Sequence, residues 1–353
     1  MTRTEPLVVA CDESGNDGEN LLSGGSAVFA HASVILSPDE AAALMDETRA
    51  RTRSQTTELK SKTILQPQHQ VTAEWLLSHP SVEGNASVHL THKKYFVVSK
   101  LYDSTAEEAA HALGYDIYET GVALAGANLL FFLGPRSYGA AWDTLLMTFQ
   151  HFMRAKDANE AQELLARLIQ EMVRLLSDED AVVRDVLGTV FAGFSHLGSL
   201  SRLQLGDGLE ERLRTMDPLI SAVGAAVHFW SSVSGKPVEL VHDAAKELTP
   251  VKIEWAKQSL ARPEDIAPSR QGLASELTGV RLVDSITDPR VQVADLLAGI
   301  GRTVGESIAN EQEHPLGPSL RRMLSGASLW PIPENMNVEN ARLAMLSQFS
   351  RAR

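Results

Sequence analysis

The periodicity of this chain changes twice along its length, and that change limits the folds open to it. From Leu7 to about Ser99, strand-length apolar runs alternate with helical stretches. From Thr105 to about Trp230 only helical periodicity is found, and at Pro237 strand-length runs return. Strands and helices at both ends therefore flank a helical middle. The economical expectation is one α/β domain over 1–353, with core segments 1–103 and 235–310, a helical insertion over 104–234 and a C-terminal wrap over 311–353.

Individual elements follow from local signals. Leu7 to Ala10 reads as a strand running into the turn-rich Asp12-Glu13-Ser14-Gly15-Asn16. Ser26 to Leu36 is a second strand, and Ser37-Pro38-Asp39-Glu40 starts a helix that should run to about Arg53. A helix is expected over Gln68 to Leu77, with strands at Ser87–Leu90 and Tyr95–Ser99. In the middle block Ala158 to Leu176 is amphipathic, and Ser177-Asp178-Glu179-Asp180 starts another helix. Later come a strand at Pro237–Val241, a polar linker from Ala261 to Gln271, a strand at Gly279–Val283 and a strong helix from Pro289 to about Ile308. The tail from Glu311, punctuated by Pro315, Pro318, Pro331 and Pro333, is expected to wrap loosely.

Composition narrows the class. With 44% apolar and 22% charged residues the chain has the make-up of a soluble globular protein. The polar start, Met1 to Glu5, has no apolar run behind it like that of a secretory signal, and Val122 to Leu133 is too short to span a bilayer. One cysteine, Cys11, excludes an internal disulfide framework and a thiolate-rich zinc site. A cytoplasmic location is the simplest expectation. The net charge of −13 argues against indiscriminate binding to nucleic acid. Most of it falls within 103–217, which carries −9, against −3 for 1–102 and −1 for 218–353. An anionic substrate should meet the two ends and avoid the middle.

Four segments place a carboxylate at a strand end or on one helix face. Asp12 and Glu13 follow the first strand and point to opposite faces, so only one can look into a site. Thr57-Glu58-Leu59-Lys60-Ser61-Lys62 sets an acid among bases. His242-Asp243 ends an apolar strand, where α/β sites usually lie. Gln292, Asp295 and Gly299 share one face of an otherwise apolar helix. Buried carboxylates gathered together repel one another and need a cation to stay ionised. An all-oxygen donor set suits Mg²⁺ or Mn²⁺ better than zinc, and two such ions can clamp the attacking and leaving oxygens of a phosphodiester.

Those segments carry a family resemblance. Asp12-Glu13-Ser14-Gly15-Asn16, Glu58-Leu59-Lys60, His242-Asp243 and Asp284-Ser285 with Gln292-Val293-Ala294-Asp295, in this order, resemble a bacterial family catalogued as domain of unknown function 3800. Asp103 and Met216-Asp217-Pro218-Leu219 are similar to parts of some members. The resemblance covers most of the chain, more loosely in the helical middle. It implies an RNase H-like fold, a mixed-sheet core here bearing a large helical insertion, and a carboxylate order Asp, Glu, Asp, Asp like that of RNase H-like nucleases. Carried over, Asp12, Glu58, Asp243 and Asp295 would be metal ligands, with Lys60 stabilising developing phosphate charge and Gln292 orienting Asp295 or a water. Glu13, Ser14, His242 and Asp284 would stand behind them. Many relatives carry another acid after the strand-end Asp, where this chain has Ala244.

Plainer roles exist for each residue. Asp12 could cap the Gly15 turn, Glu58 and Lys60 could be a solvated pair, and Asp243 could cap a helix. Asp295 could pair with Arg281, Arg290 or Arg302, and Asp284-Ser285 also reads as a turn. Lys60, Lys62, Lys93 and Lys94 either meet phosphates or solubilise the surface. The expected function is metal-dependent cleavage of nucleic acid, DNA, RNA or hybrid, without membrane contact. The alternatives are a small-substrate phosphohydrolase and a non-catalytic scaffold that binds a protein partner, or a second copy, through the acidic helical block. A role in defence against foreign nucleic acid is implied by the family alone.

Overall fold

The computed structural model describes residues 5–56, 58–177, 183–198, 216–261 and 275–343. Thr57, most of the helix start expected at Ser177-Asp178-Glu179-Asp180, and nearly all of the expected linker up to Gln271 lie outside them. Among the described residues five strands form one open mixed sheet: β1 (Leu7–Ser14), β2 (Val28–Val34), β3 (Ala86–His92), β4 (Val238–Asp243) and β5 (Leu277–Val283), in the order β3-β2-β1-β4-β5. β2 runs antiparallel to both β1 and β3, while β4 runs parallel to β1 and β5 parallel to β4. The two ends of the chain meet at the β1/β4 pair, where Leu7 faces Val238 and Cys11 faces His242.

β1 continues four residues beyond the expected end at Ala10. Asp12, Glu13 and Ser14 keep pairing with Ala32, His31 and Ala30 of β2, so both acids belong to the strand and not to a turn. The turn begins at Gly15, which has φ +78°, and a Cβ there would lie 2.5 Å from the carbonyl oxygen of Val28.

The helices are α1 (Pro38–Thr52), α2 (Ser61–Ile64), α3 (Gln70–Leu77), α4 (Lys93–Tyr102), α5 (Glu108–Ala112), α6 (Val122–Tyr138), α7 (Ala140–Met153), α8 (Ala158–Leu176), α9 (Arg184–Ala192), α10 (Pro218–Ser234), α11 (Pro250–Ala261), α12 (Pro289–Ala309) and α13 (Gly317–Arg321). Ser37 and Glu40 close a reciprocal capping box on α1. Where a strand is expected at Tyr95–Ser99, the chain is instead the helix α4. The His92 side chain accepts the Tyr95 N–H at its start. Tyr95, Phe96, Val97, Val98, Leu101 and Tyr102 are all buried, and an apolar run buried on every side lacks the polar alternation that separates helix from strand.

Three cores result. On one sheet face Ala10, Ala30 and Val88 pack against Val293, Leu297 and Ile300 of α12, with α1 and α3 outside it. On the other, Val9, Cys11, Phe29 and Leu240 pack against Leu219, Val223 and Trp230 of α10. Thus Pro218–Ser234, the last part of the segment 104–234, covers the sheet. The third core lies among the middle helices, around Phe96, Trp142, Phe149, Leu168 and Leu187.

The tail packs more closely than its prolines suggest. Leu316 and Leu320 are buried, and Ser325 and Leu329 donate backbone hydrogen bonds of 2.8 Å to Val88 and Leu90 of β3. This segment covers the edge of β3, whose free backbone groups would otherwise invite pairing. Among the described residues no helix is long and apolar enough to cross a membrane.

Candidate active site

Strand alternation decides which acids meet. Asp12 projects with Ala10 toward α12, and Asp243, the last residue of β4, projects with Val241 to the same face. Asp295 reaches them from α12 itself. Glu58 and Lys60 arrive on the connection between α1 and α2, where the Lys60 ammonium pairs with Glu58 and lies 3.5 Å from Asp295 Oδ2. Gly299 makes this approach possible, because a Cβ there would lie 2.0 Å from Ser61 Oγ. One turn beyond Asp295, the helix surface is cut back to admit the start of α2.

Ser285 completes the arrangement from a 3-10 turn, Ser285–Thr287, that follows β5. Its N–H donates to Asp243 Oδ1 at 2.9 Å and its hydroxyl donates to Glu58 Oε1 at 2.9 Å. Three of the four expected carboxylates are thereby linked: Ser285 joins Asp243 to Glu58 and Lys60 joins Glu58 to Asp295, while Asp12 accepts the Glu13 N–H at 2.7 Å and stands beside them.

Their electrostatics are uneven. Asp12, 5% exposed, is pushed up to about 9, first by burial and then by the charges of Glu13, Asp295 and Asp243. Burial also raises Asp295, against the pull of Lys60. Glu58 is held below the ordinary carboxylate range by its hydrogen bonds from Lys60 and Ser285, which outweigh its burial. Burial opposes the charge of Lys60, but Glu58 and Asp295 outweigh it and raise its pKa. Two like charges about 4 Å apart repel by about 4 kcal/mol at an effective dielectric of about 20. One ammonium therefore cannot compensate four carboxylates, and the Asp12 carboxyl is held far above its ordinary range. Added positive charge is what this cluster lacks. Its donors are all oxygen, as a hard divalent ion prefers. Among the described residues, no three His, Cys, Asp or Glu side chains stand grouped to coordinate an ion as they are now placed.

The other expected residues lie around or behind this centre. Glu13 and His242 project to the opposite sheet face, where His242 Nε2 lies 3.7 Å from Glu13 Oε2 and 3.2 Å from His31 Nε2. The Ser14 hydroxyl accepts from Arg302 Nε at 3.1 Å. The Gln292 amide hydrogen bonds elsewhere than to Asp295: it donates to the Ser285 carbonyl at 3.0 Å and accepts from Arg49 at 2.6 Å, fixing the Ser285 turn. Asp284 caps that turn through the Ile286 N–H. The arginines weighed as partners for Asp295 are engaged elsewhere, Arg290 with Asp288, Arg302 with Glu306 and Arg281 with Glu239. Of the lysines, buried Lys93 pairs with Asp17 and Lys94 with Asp143, while Lys62 is exposed.

Sequence reasoning missed Ser285 as a bridge, Arg49 as the anchor of Gln292, and His31. Ser285 had a weak signal in its place after Asp284. His31 had none, because only strand pairing brings it to His242.

Comparison with protein-family models finds no match, and comparisons with curated proteins and with solved structures find none either.

Proposed function

We propose that the chain is a divalent-metal-dependent hydrolase of phosphodiester bonds in nucleic acid, built on an RNase H-like core of the kind that its resemblance to the domain of unknown function 3800 family implies. One observation carries the reading. Four acids from four separate segments, Asp12, Glu58, Asp243 and Asp295, gather between the ends of two parallel strands and the helix α12, with Lys60 as their one lysine among the described residues. A cluster serving stability alone would be balanced in charge, whereas this one leaves Asp12 uncompensated.

These four residues would hold Mg²⁺ or Mn²⁺, which when bound supplies Lewis-acid stabilisation of phosphoryl charge. Ser285 fixes the relative position of Asp243 and Glu58. Lys60, released from its acids when they bind a cation, would face the phosphate. The −9 charge of residues 103–217 repels a polyanion and favours its approach from the sheet side.

The test is cleavage of labelled DNA, RNA and hybrid substrates with Mg²⁺, Mn²⁺ or EDTA, comparing wild type with Asp295→Asn. Cutting that needs the metal, and that falls by about 100-fold or more in the variant, is expected. Loss of a group behind a metal ligand already costs about 10–100-fold. Turnover of bis(p-nitrophenyl) phosphate without cutting of any polymer would replace this reading by a small-substrate phosphohydrolase. Absence of both cutting and Mn²⁺ binding would replace it by a non-catalytic scaffold acting through the acidic helical block.

A further inference from the structure

A second concave site lies outside the carboxylate centre, among α4, α6 and the C-terminal segment. It is a pocket of about 200 Å³ lined by, among others, Tyr95, Ser99, Asp103, Tyr118, Ala327 and Trp330. That is the room of about seven waters at liquid density, which suits a single-ring molecule. Asp103 opens a π-helical turn, Asp103–Glu107, that extends α4. Such turns interrupt regular helix bonding and recur at functional sites. The walls are held from both sides: Asn128 donates to the Tyr95 hydroxyl at 3.0 Å and accepts the Ile332 N–H at 2.8 Å, pinning the C-terminal segment against α6.

We propose that this pocket binds a small organic cation, with an ammonium or amidinium group against Asp103 and an apolar body between the rings of Tyr95, Tyr118 and Trp330. The chemistry of the lining selects this class. Among the described residues that line it, Asp103 is the one charged side chain, and the Tyr118 hydroxyl donates to its carboxyl. Aromatic rings attract a cation through their faces. Lys100 only partly offsets the acid, and its ammonium lies 5.5 Å from the centroid of the Phe96 ring. The charge of Glu107 interacts unfavourably with that of Asp103, so a phosphate or carboxylate ligand beside Asp103 would be repelled. Burial holds the Asp103 carboxyl above its ordinary range, and a bound cation would supply the counter-charge it lacks.

Titration calorimetry of the full chain with benzamidine, and with benzamide as its neutral counterpart, tests this site. Saturable benzamidine binding is expected, with benzamide at least tenfold weaker. Asp103→Asn should weaken benzamidine at least tenfold and leave benzamide unchanged. Ala327→Trp, a change at an exposed rim position, should block both ligands without disturbing the fold. Asp295→Asn should bind benzamidine like wild type, which separates this site from the carboxylate centre. No saturable benzamidine binding, equal binding of benzamide, undiminished binding in Ala327→Trp, or loss in Asp295→Asn would each overturn the proposal.

Discussion

The two faces of the sheet treat neighbouring residues in opposite ways. Asp12 and Asp243 look toward α12 and join a cluster of acids short of positive charge. Glu13 and His242, one residue away from each, look toward α10 and join a buried polar network in which Glu13 Oε2, His31 Nδ1 and His89 Nδ1 have no hydrogen-bond partner among the described residues. There the Nδ1–H of His242 donates to the Asp243 carbonyl at 3.0 Å, since that oxygen can only accept. Its Nε2 is then an acceptor, and His31 Nε2–H donates to it at 3.2 Å. His89 Nε2 bonds the Thr91 hydroxyl at 3.1 Å, and Trp230 Nε1 donates to Ser33 at 2.9 Å. Burial lowers the pKa of His31, His89 and His242, keeping them neutral. Glu13 is raised to about 7, first by burial, against its bond from Asn16, and further by the charges of Glu247, Asp243 and Asp217. The α10 face is held mainly by hydrogen bonds among imidazole, indole and hydroxyl groups, whereas the α12 face is a cluster of acids that lacks positive charge. A pleat of period two lets one strand serve both faces.

Mutations on the two faces should therefore differ in kind. The largest effect on stability is expected at Trp230, which is 1% exposed and ties α10 to β2. Trp230→Ala should cost about 3–5 kcal/mol in denaturant unfolding, while the folded fraction keeps its Mn²⁺ affinity. Equal losses of stability and affinity would show that the faces are not separate. Next is pH. His89 is held down at about 4 by burial, below its unfolded value of about 6.5, so the unfolded chain binds the proton first. Its contribution is whole above about pH 6.5 and is lost as pH falls toward 4, amounting to about 2 kcal/mol at pH 5. His89→Gln should flatten the stability profile in that window by this amount, and an unchanged profile would refute the neutral-imidazole account. The smallest change is on the α12 face. Gly299→Ala should cost about 1–2 kcal/mol by forcing Ser61 and Lys60 away from Asp295. Adding Ser61→Gly should restore both stability and Mn²⁺ affinity if close approach is the reason for Gly299.

The sequence announced those features whose causes are local. Ser37-Pro38 marks α1, α8 spans Ala158–Leu176 as its amphipathic pattern requires, and Pro289 opens α12 within a residue of expectation at both ends. Asp295 on an apolar helix demanded a partner, and it has one. Features with long-range causes were hidden. β1 runs on to Ser14 because β2 pairs with it, α4 is a helix because of what surrounds it, and the proline-rich tail is ordered by the edge of β3. Alternation said that only one of Asp12 and Glu13 could enter a site, but only the packing of α12 says which one.

The central claim is that the α12 face, and not the α10 face, holds a divalent cation. Mn²⁺ titration by electron paramagnetic resonance tests it on wild type, Asp12→Asn and Glu13→Gln. The account predicts saturable binding to wild type, at least a tenfold loss in Asp12→Asn and little change in Glu13→Gln. Binding that survives in Asp12→Asn, or that is lost only in Glu13→Gln, would contradict it.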